Sequence, residues 1–200
     1  MEPVVPNHHA HHPGFRGRAG FAAAKRFLEV GPDASVGCDL TDVGPGDHVI
    51  DIGSGPGVAA REAVRRGATA LAVDPASVMI RVGRARNDHP DITWRQGTAE
   101  AVPSEDASAT VVWSMATVHH WQNIDEGLAE VRRILKPGGR FLATERHLRG
   151  DGTDATDHGW TEGQAGSFMA SCREHGFENV TLDYGEASRG KLLCVLANQP

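Results

Sequence analysis

An apolar pair, Val49-Ile50, runs into the acid Asp51, and glycines follow at every second position, Gly53, Gly55 and Gly57. That order describes a buried strand entering a tight loop that opens a helix. Glycines in such a loop take positive φ at little steric cost and let a ligand approach the backbone. Asp51, Gly53, Ser54, Gly55 and Gly57 are therefore read as one wall of a ligand site. The acid ahead of the glycines suits a cationic ligand better than a diphosphate. A dinucleotide fingerprint would need its third small residue at Val58, which is too bulky. A second acid, Asp74, closes the run Ala72-Val73-Asp74-Pro75-Ala76. An acid placed ~20 residues beyond a glycine loop can accept two hydrogen bonds from a ribose diol. Each acid has a plainer alternative. Asp51 can orient the loop without touching a ligand, and Asp74 can cap the helix that follows it.

Histidines supply the second set. His119 and His120 follow an apolar run in Ser114-Met115-Ala116-Thr117-Val118-His119-His120-Trp121. Either imidazole could take a proton from an acceptor hydroxyl or amine, and both are candidate catalytic residues. The alternative packs one against a helix and leaves the other solvated. His8, His9, His11 and His12 cluster near the start of the chain, but with no carboxylate or cysteine beside them. A covering arm, a disordered arm and a metal site are the readings open there, and no metal ligands are assigned.

These residues need elements to position them. Residues 1–18 are rich in His, Pro and Gly and form an irregular arm. Helices are expected over 20–30, stopped by Gly31-Pro32, and over 33–43. The chain then alternates: strands at 48–53, 70–74, 92–96, 109–115 and 140–145, with helices over 57–67, 76–87 and 124–135. Residues 97–107 and 147–159 read as loops. Lys136-Pro137-Gly138-Gly139 ends the helix before strand five. A helix over 161–175 and two closely joined strands, 179–185 and 191–198, complete the chain. The fold class is α/β: a three-layer, doubly wound, Rossmann-like sheet of seven strands, mostly parallel, with an antiparallel C-terminal hairpin. One domain spans 1–200, divided into an arm and lid helices (1–44), a cofactor-binding core (45–145) and a C-terminal helix with edge hairpin (146–200).

Composition narrows the class further. The chain has 200 residues, 40% hydrophobic and 23% charged, with a net charge of −6. It shows no basic block, which argues against a nucleic-acid partner. Cys38, Cys172 and Cys194 lack the spacing of a disulfide framework or a zinc knuckle. No signal peptide or membrane span is legible, so a cytoplasmic protein is expected. Oligomeric state is not readable.

The glycine loop resembles motif I of the class I S-adenosylmethionine (SAM)-dependent methyltransferases, and three further segments extend the resemblance over about 45–145. They are the Asp74 strand end, Gln96-Gly97-Thr98-Ala99-Glu100-Ala101-Val102-Pro103, and Glu130-Val131-Arg132-Arg133-Ile134-Leu135-Lys136-Pro137-Gly138-Gly139-Arg140. Together they are similar to the small-molecule, ubiquinone/menaquinone-methyltransferase-like group. The resemblance implies S-adenosyl-L-methionine as cofactor, with its ribose on Asp74. It implies an adenine flanked by Pro75 and Met79, with Thr98 and Ala99 along it, and Ser114 and Met115 facing the cofactor through backbone. Met79 at helical spacing is equally a core residue. The family usually has Asp where Thr98 stands, and often one near Thr110. An N-terminal lid is common in the family, and from it Arg16 or Arg18 could pair with the cofactor carboxylate. The implied reaction is methyl transfer to a small-molecule acceptor. The rivals are a non-catalytic SAM-binding protein, a nicotinamide-dependent oxidoreductase and, behind them, nucleic-acid methylation. The glycine spacing and the lack of a Tyr-x-x-x-Lys pair speak against the oxidoreductase.

Overall fold

A computed structural model describes residues 5–11, 14–30, 34–87, 89–149, 158–187 and 190–200. The expected stop at Gly31-Pro32, His12, and most of the 147–159 loop lie outside those residues. Seven strands form one sheet: β1 (His48–Ile52), β2 (Thr69–Asp74), β3 (Ile92–Gln96), β4 (Ala109–Met115), β5 (Leu135–Arg146), β6 (Glu178–Ala187) and β7 (Gly190–Asn198). Their order is β3-β2-β1-β4-β5-β7-β6. The first five run parallel, and β7 is antiparallel to both β5 and β6. The order reverses between β1 and β4, so the carboxyl ends of those two strands flank the crevice where ligands bind in open α/β sheets.

The helices are α1 (Gly17–Val30), α2 (Ala34–Leu40), α3 (Val58–Arg65), α4 (Ser77–Arg86), α5 (Ile124–Ile134) and α6 (Glu162–Glu174). Strand alternation decides the layers. Ile50, Ile52, Val73, Val112 and Phe141 face α5 and α6, where Leu128, Val131 and Phe168 meet them. Val49, Val111, Trp113 and Leu142 face α2 and α3, against Cys38, Ala59 and Ala63. Asp51 shares the parity of Val49, so its carboxylate points to the α3 side, beneath the start of the glycine loop. The tip of α4 is held by Trp94, whose indole occupies the space a side chain would need at Gly83. Helix α1 packs outside the sheet layers, through Ala24 on Val78, Met79 and Val82 of α4.

The largest boundary difference from the sequence reading is at β5. Strand β5 begins at Leu135, not at 140, because Ala109 pairs with Leu135 and the register then shifts across a bulge to Val111–Arg140. Gly138 and Gly139 exchange backbone hydrogen bonds with Gln199, which keeps this turn on the sheet. A 3-10 turn over Val118–His120 follows β4, a stretch to which the sequence reading assigned no element.

Candidate functional site

The glycine loop is fastened from below before any ligand is considered. Gly53 and Ser54 donate backbone hydrogen bonds to the Val73 carbonyl, at 2.8 and 2.9 Å. Asp74 holds the loop from the next strand: its Oδ2 accepts from the Gly55 N–H and its Oδ1 from the Ala76 N–H, both at 2.8 Å. The three glycines have different reasons to be small. A Cβ on Gly53 would lie 2.5 Å from the Thr117 methyl, and one on Gly57 would lie 2.2 Å from the Trp94 ring. Gly55, at φ +54°, faces open space. Protein packing therefore explains Gly53 and Gly57, while Gly55 presents bare backbone to the crevice.

Asp51 is 2% exposed, and its Oδ2 has no hydrogen-bond partner. Burial, reinforced by the charge of Asp74 and relieved in part by the Ala60 N–H, pushes its carboxyl up to about 7. Burial likewise raises Asp74 to about 6, against the pull of its two backbone donors. A buried, unsatisfied carboxylate oxygen is costly. A cation with N–H donors would relieve that cost, and the ammonium of SAM is such a group. Buried Asp51, the open space beside Gly55 and the Asp74 carboxylate thus fit the cofactor the sequence implies.

The adenine-side residues are placed less uniformly. Pro75 is exposed at the end of β2, and its carbonyl accepts from Gln96 Nε2 at 2.9 Å. Ala99 is buried and Thr98 half-buried on the loop after β3. That loop is anchored by α5: Glu130 Oε2 accepts from the Val102 N–H at 3.0 Å, and Arg133 donates to the carbonyls of Val102 and Ser104. Met79 is 1% exposed and packs in the α1–α4 cluster, so its side chain does core work. Thr110 lies at the opposite end of the sheet, donating to Asp47 at 2.7 Å, far along β4 from the crevice. Arg16 is exposed ahead of α1, and its carbonyl accepts from Gly20.

The carboxyl end of β4 forms the facing wall. Ser114 is fully buried and Met115 is 4% exposed, its side chain lying against Gly37 of α2. Only their backbone can serve a ligand. Ser114 Oγ and Thr117 Oγ1 lie 2.6 Å apart, and Thr117 also donates to the Ile52 carbonyl at 3.1 Å. Thr117 thereby ties the β4 turn to the end of β1. Between them Ala116 adopts φ +56°, a left-handed conformation that is strained for a residue with a Cβ.

Two residues beyond Thr117, His119 is 2% exposed and its Nδ1 lies 2.8 and 2.9 Å from the oxygens of Glu145. Glu145, at the end of β5, is fully buried and also accepts from the His119 backbone N–H at 3.2 Å. This carboxylate fixes the imidazole so that its Nε2 is the free-facing nitrogen. Nε2 lies 3.4 Å from Nδ1 of His158. His120 is half-buried, and burial together with the neighbouring imidazoles pushes it down to about 3. The arm closes over this group. The His9 N–H donates to the His119 carbonyl at 2.8 Å, Asn7 Nδ2 to the Trp121 carbonyl at 3.0 Å, and Trp160 Nε1 to the Pro6 carbonyl at 2.8 Å. Sequence reasoning singled out His119 and His120 but missed Glu145 and His158. The acid ending Arg140-Phe141-Leu142-Ala143-Thr144-Glu145, on an otherwise apolar strand, was the available signal for the first. His158 has none.

Comparison with known proteins agrees with this geometry. Residues 50–143, from β1 to β5, match the family model for a methyltransferase domain. Over 100 residues the chain is 37% identical to a ubiquinone/menaquinone biosynthesis C-methyltransferase of Rubrivivax gelatinosus, covering 50% of this chain and 39% of that protein. It is 30% identical over 120 residues to a demethylmenaquinone methyltransferase of Tropheryma whipplei, covering 60% of this chain and 50% of that one. The matched region thus spans half or less of these curated relatives. A crystal structure of a SAM-dependent methyltransferase from Aquifex aeolicus superposes with a TM-score of 0.72 at 16% identity, covering 90% of this chain and 98% of that chain, a likeness of fold. The glycine loop and the two acids thus lie within the segment that matches the methyltransferase-domain family, and the sheet around them has the fold of solved SAM-dependent methyltransferases.

Proposed function

We propose that this protein transfers a methyl group from SAM to a small-molecule acceptor. The observation that carries the reading is the buried, partnerless Oδ2 of Asp51 beneath the bare backbone of Gly55. When bound, the cofactor supplies an electrophilic methyl carbon. The chain's own residues then hold and align. Asp51 accepts from the amino-acid ammonium. Gly55 lends backbone, and Asp74, already fixed by two N–H donors, offers its remaining lone pairs to the ribose diol. Thr98 and Ala99 line the adenine, with Pro75 at its edge. The facing wall of Ala116, Thr117 and His119 places the acceptor, and the arm excludes water. Proximity and orientation of this kind can supply ~7–11 kcal/mol of a barrier, so a dedicated base is optional. Where an acceptor does lose a proton, Nε2 of His119 is the nitrogen placed to receive it.

The relatives' names favour a carbon acceptor on a quinone precursor as the first class to screen. The net charge of −6 disfavours a nucleic-acid acceptor. Among the described residues no helix is long and apolar enough to cross a membrane. The three cysteines are buried thiols, with Cys172 pushed up to about 12 by burial, so they serve packing and not the reaction.

Thermal unfolding with SAM, S-adenosylhomocysteine or NADH tests the reading. A ligand at 100 times its Kd stabilises by about 2.7 kcal/mol, on the order of 5–10 °C in Tm for a chain of this size. A rise with the two adenosyl-sulfur ligands alone is expected. A rise with NADH alone would replace methyl transfer with hydride transfer.

A further inference from the structure

Four imidazoles from three separate stretches of chain meet at the mouth of the crevice. His9 comes from the arm, His119 and His120 from the turn after β4, and His158 from the loop after β5. Each can offer one ring nitrogen, and those nitrogens all lie within 4.8 Å of one another. The rings of His9 and His158 sit 4.7 Å apart, and those of His119 and His120 4.1 Å apart. Nitrogens from four imidazoles converging on one point make a ready donor set for a metal ion.

We propose that His9, His119, His120 and His158 form a binding site for one divalent transition-metal ion of the zinc type, held by four imidazole nitrogens. A tetrahedral shell with metal–nitrogen bonds of ~2.0–2.1 Å has donor–donor edges of about 3.3–3.4 Å. The 3.4 Å from His119 Nε2 to His158 Nδ1 is already such an edge, and no pair of the offered nitrogens stands more than 4.8 Å apart. The Glu145 carboxylate on His119 Nδ1 is the outer partner that metal-bound imidazoles commonly have: it fixes the tautomer and turns the Nε2 lone pair to the ion. An all-nitrogen set suits zinc, copper or nickel and disfavours magnesium or calcium. Four protein ligands fill a tetrahedral shell, so the ion is structural. It clamps the arm to the ends of β4 and β5, beside Thr117 and the glycine loop, and holds the lid shut. The site is independent of the methyl-donor reading, since no ligand belongs to the glycine loop, but an ion on His119 Nε2 occupies that lone pair and takes the place of the proton-accepting role proposed for it above.

The test uses the full chain without an affinity tag, stripped with a chelator and titrated with Co²⁺ as the optical probe and with Zn²⁺ by calorimetry. One equivalent of Co²⁺ with the intense visible bands of a tetrahedral site, displaced by Zn²⁺, is expected. His119→Gln and His158→Ala should each weaken binding by about tenfold or more, and Glu145→Gln by about 10–100-fold. His158 is exposed, so its removal keeps the fold and isolates the ligand effect. Weak octahedral bands, no binding, or affinity unchanged in His158→Ala would overturn the proposal. The last result would mean that the arm histidines chelate by themselves. The SAM-induced Tm rise, measured on the same stripped samples, reports separately on the cofactor site.

Discussion

The crevice has two walls built on different principles. The β1–β2 wall is made of local sequence: a glycine loop, an acid at its start and an acid on the neighbouring strand, joined by backbone hydrogen bonds to Val73 and Asp74. The β4–β5 wall is made of long-range contacts: an arm, a strained turn and a loop brought together around the buried His119–Glu145 pair. In the proposed function the first wall holds a cofactor shared by a whole family, and its chemistry would be carried by few residue types at fixed spacing. The second would face the acceptor, and its parts come from positions as far apart as Pro6 and Trp160. A short motif can specify the first kind of wall, while only a folded chain assembles the second.

The sharpest way to break this contrast is to attack the first wall where it serves packing. Gly57→Val should cost about 3 kcal/mol or more, because a Cβ there meets the Trp94 ring at 2.2 Å and φ is +79°. Urea unfolding would measure it. Gly55→Ala, facing open space, should cost only about 1 kcal/mol in stability, and should weaken SAM binding measured by calorimetry. If both variants lost the same stability, the division between packing and ligand glycines would be wrong.

Next in size is Asp51→Asn. Removing a buried carboxylate should stabilise the ligand-free protein yet weaken SAM binding by about tenfold or more, since a charge-assisted bond is lost. The pH dependence follows from the raised carboxyl, at about 7 against an ordinary 3.8. Between those values the folded state binds more protons than the unfolded state, so this group's contribution falls as pH rises from about 4 to about 7. SAM affinity should increase as pH rises through about 7 and ionises Asp51, and Asp51→Asn should flatten both trends. A variant that binds SAM like the parent protein would reduce Asp51 to a loop-orienting role.

Glu145→Gln addresses the second wall. It leaves His119 with a neutral partner in a site with no solvent, at a cost of about 1–3 kcal/mol in stability. Because Glu145 touches neither the glycine loop nor Asp74, the SAM dissociation constant should stay within about twofold once the folded fraction is corrected. A large loss of SAM affinity would mean that the two walls are coupled.

The legibility of the sequence follows the same line. Strands β1, β2 and β4 are readable to within a residue or two because each is an apolar run bounded by an acid, a glycine or a polar turn, and β3 because Ile92 and Trp94 alternate with polar residues. The extension of β5 back to Leu135 was hidden by Lys136-Pro137-Gly138-Gly139, whose composition signals a stop while its backbone pairs with Gln199. Asp51, Gly55 and Asp74 stand together because their spacing is set by one βαβ unit. Met79 had two readings at helical spacing, and only the packing of α1 on α4 places its side chain in the core. Nothing local marks His158 as a neighbour of His119; tertiary contacts alone make it so.

Arg16→Ala carries the smallest expected effect and asks whether the arm belongs to the first wall as well as the second. Residues 5–11 are bound to the β4–β5 side through His9, Asn7 and Pro6. Arg16 lies past that anchorage, exposed at the entry to α1, where its side chain supports no packing. The substitution should therefore leave stability within about 0.5 kcal/mol. If its guanidinium reaches the cofactor carboxylate, losing an exposed charge pair worth up to ~1 kcal/mol would raise the SAM dissociation constant several-fold. The loss should shrink at high salt, as screening requires. An unchanged constant would confine the arm to the acceptor side, and Asp51 would then be the charged group that recognises the amino-acid end of the cofactor.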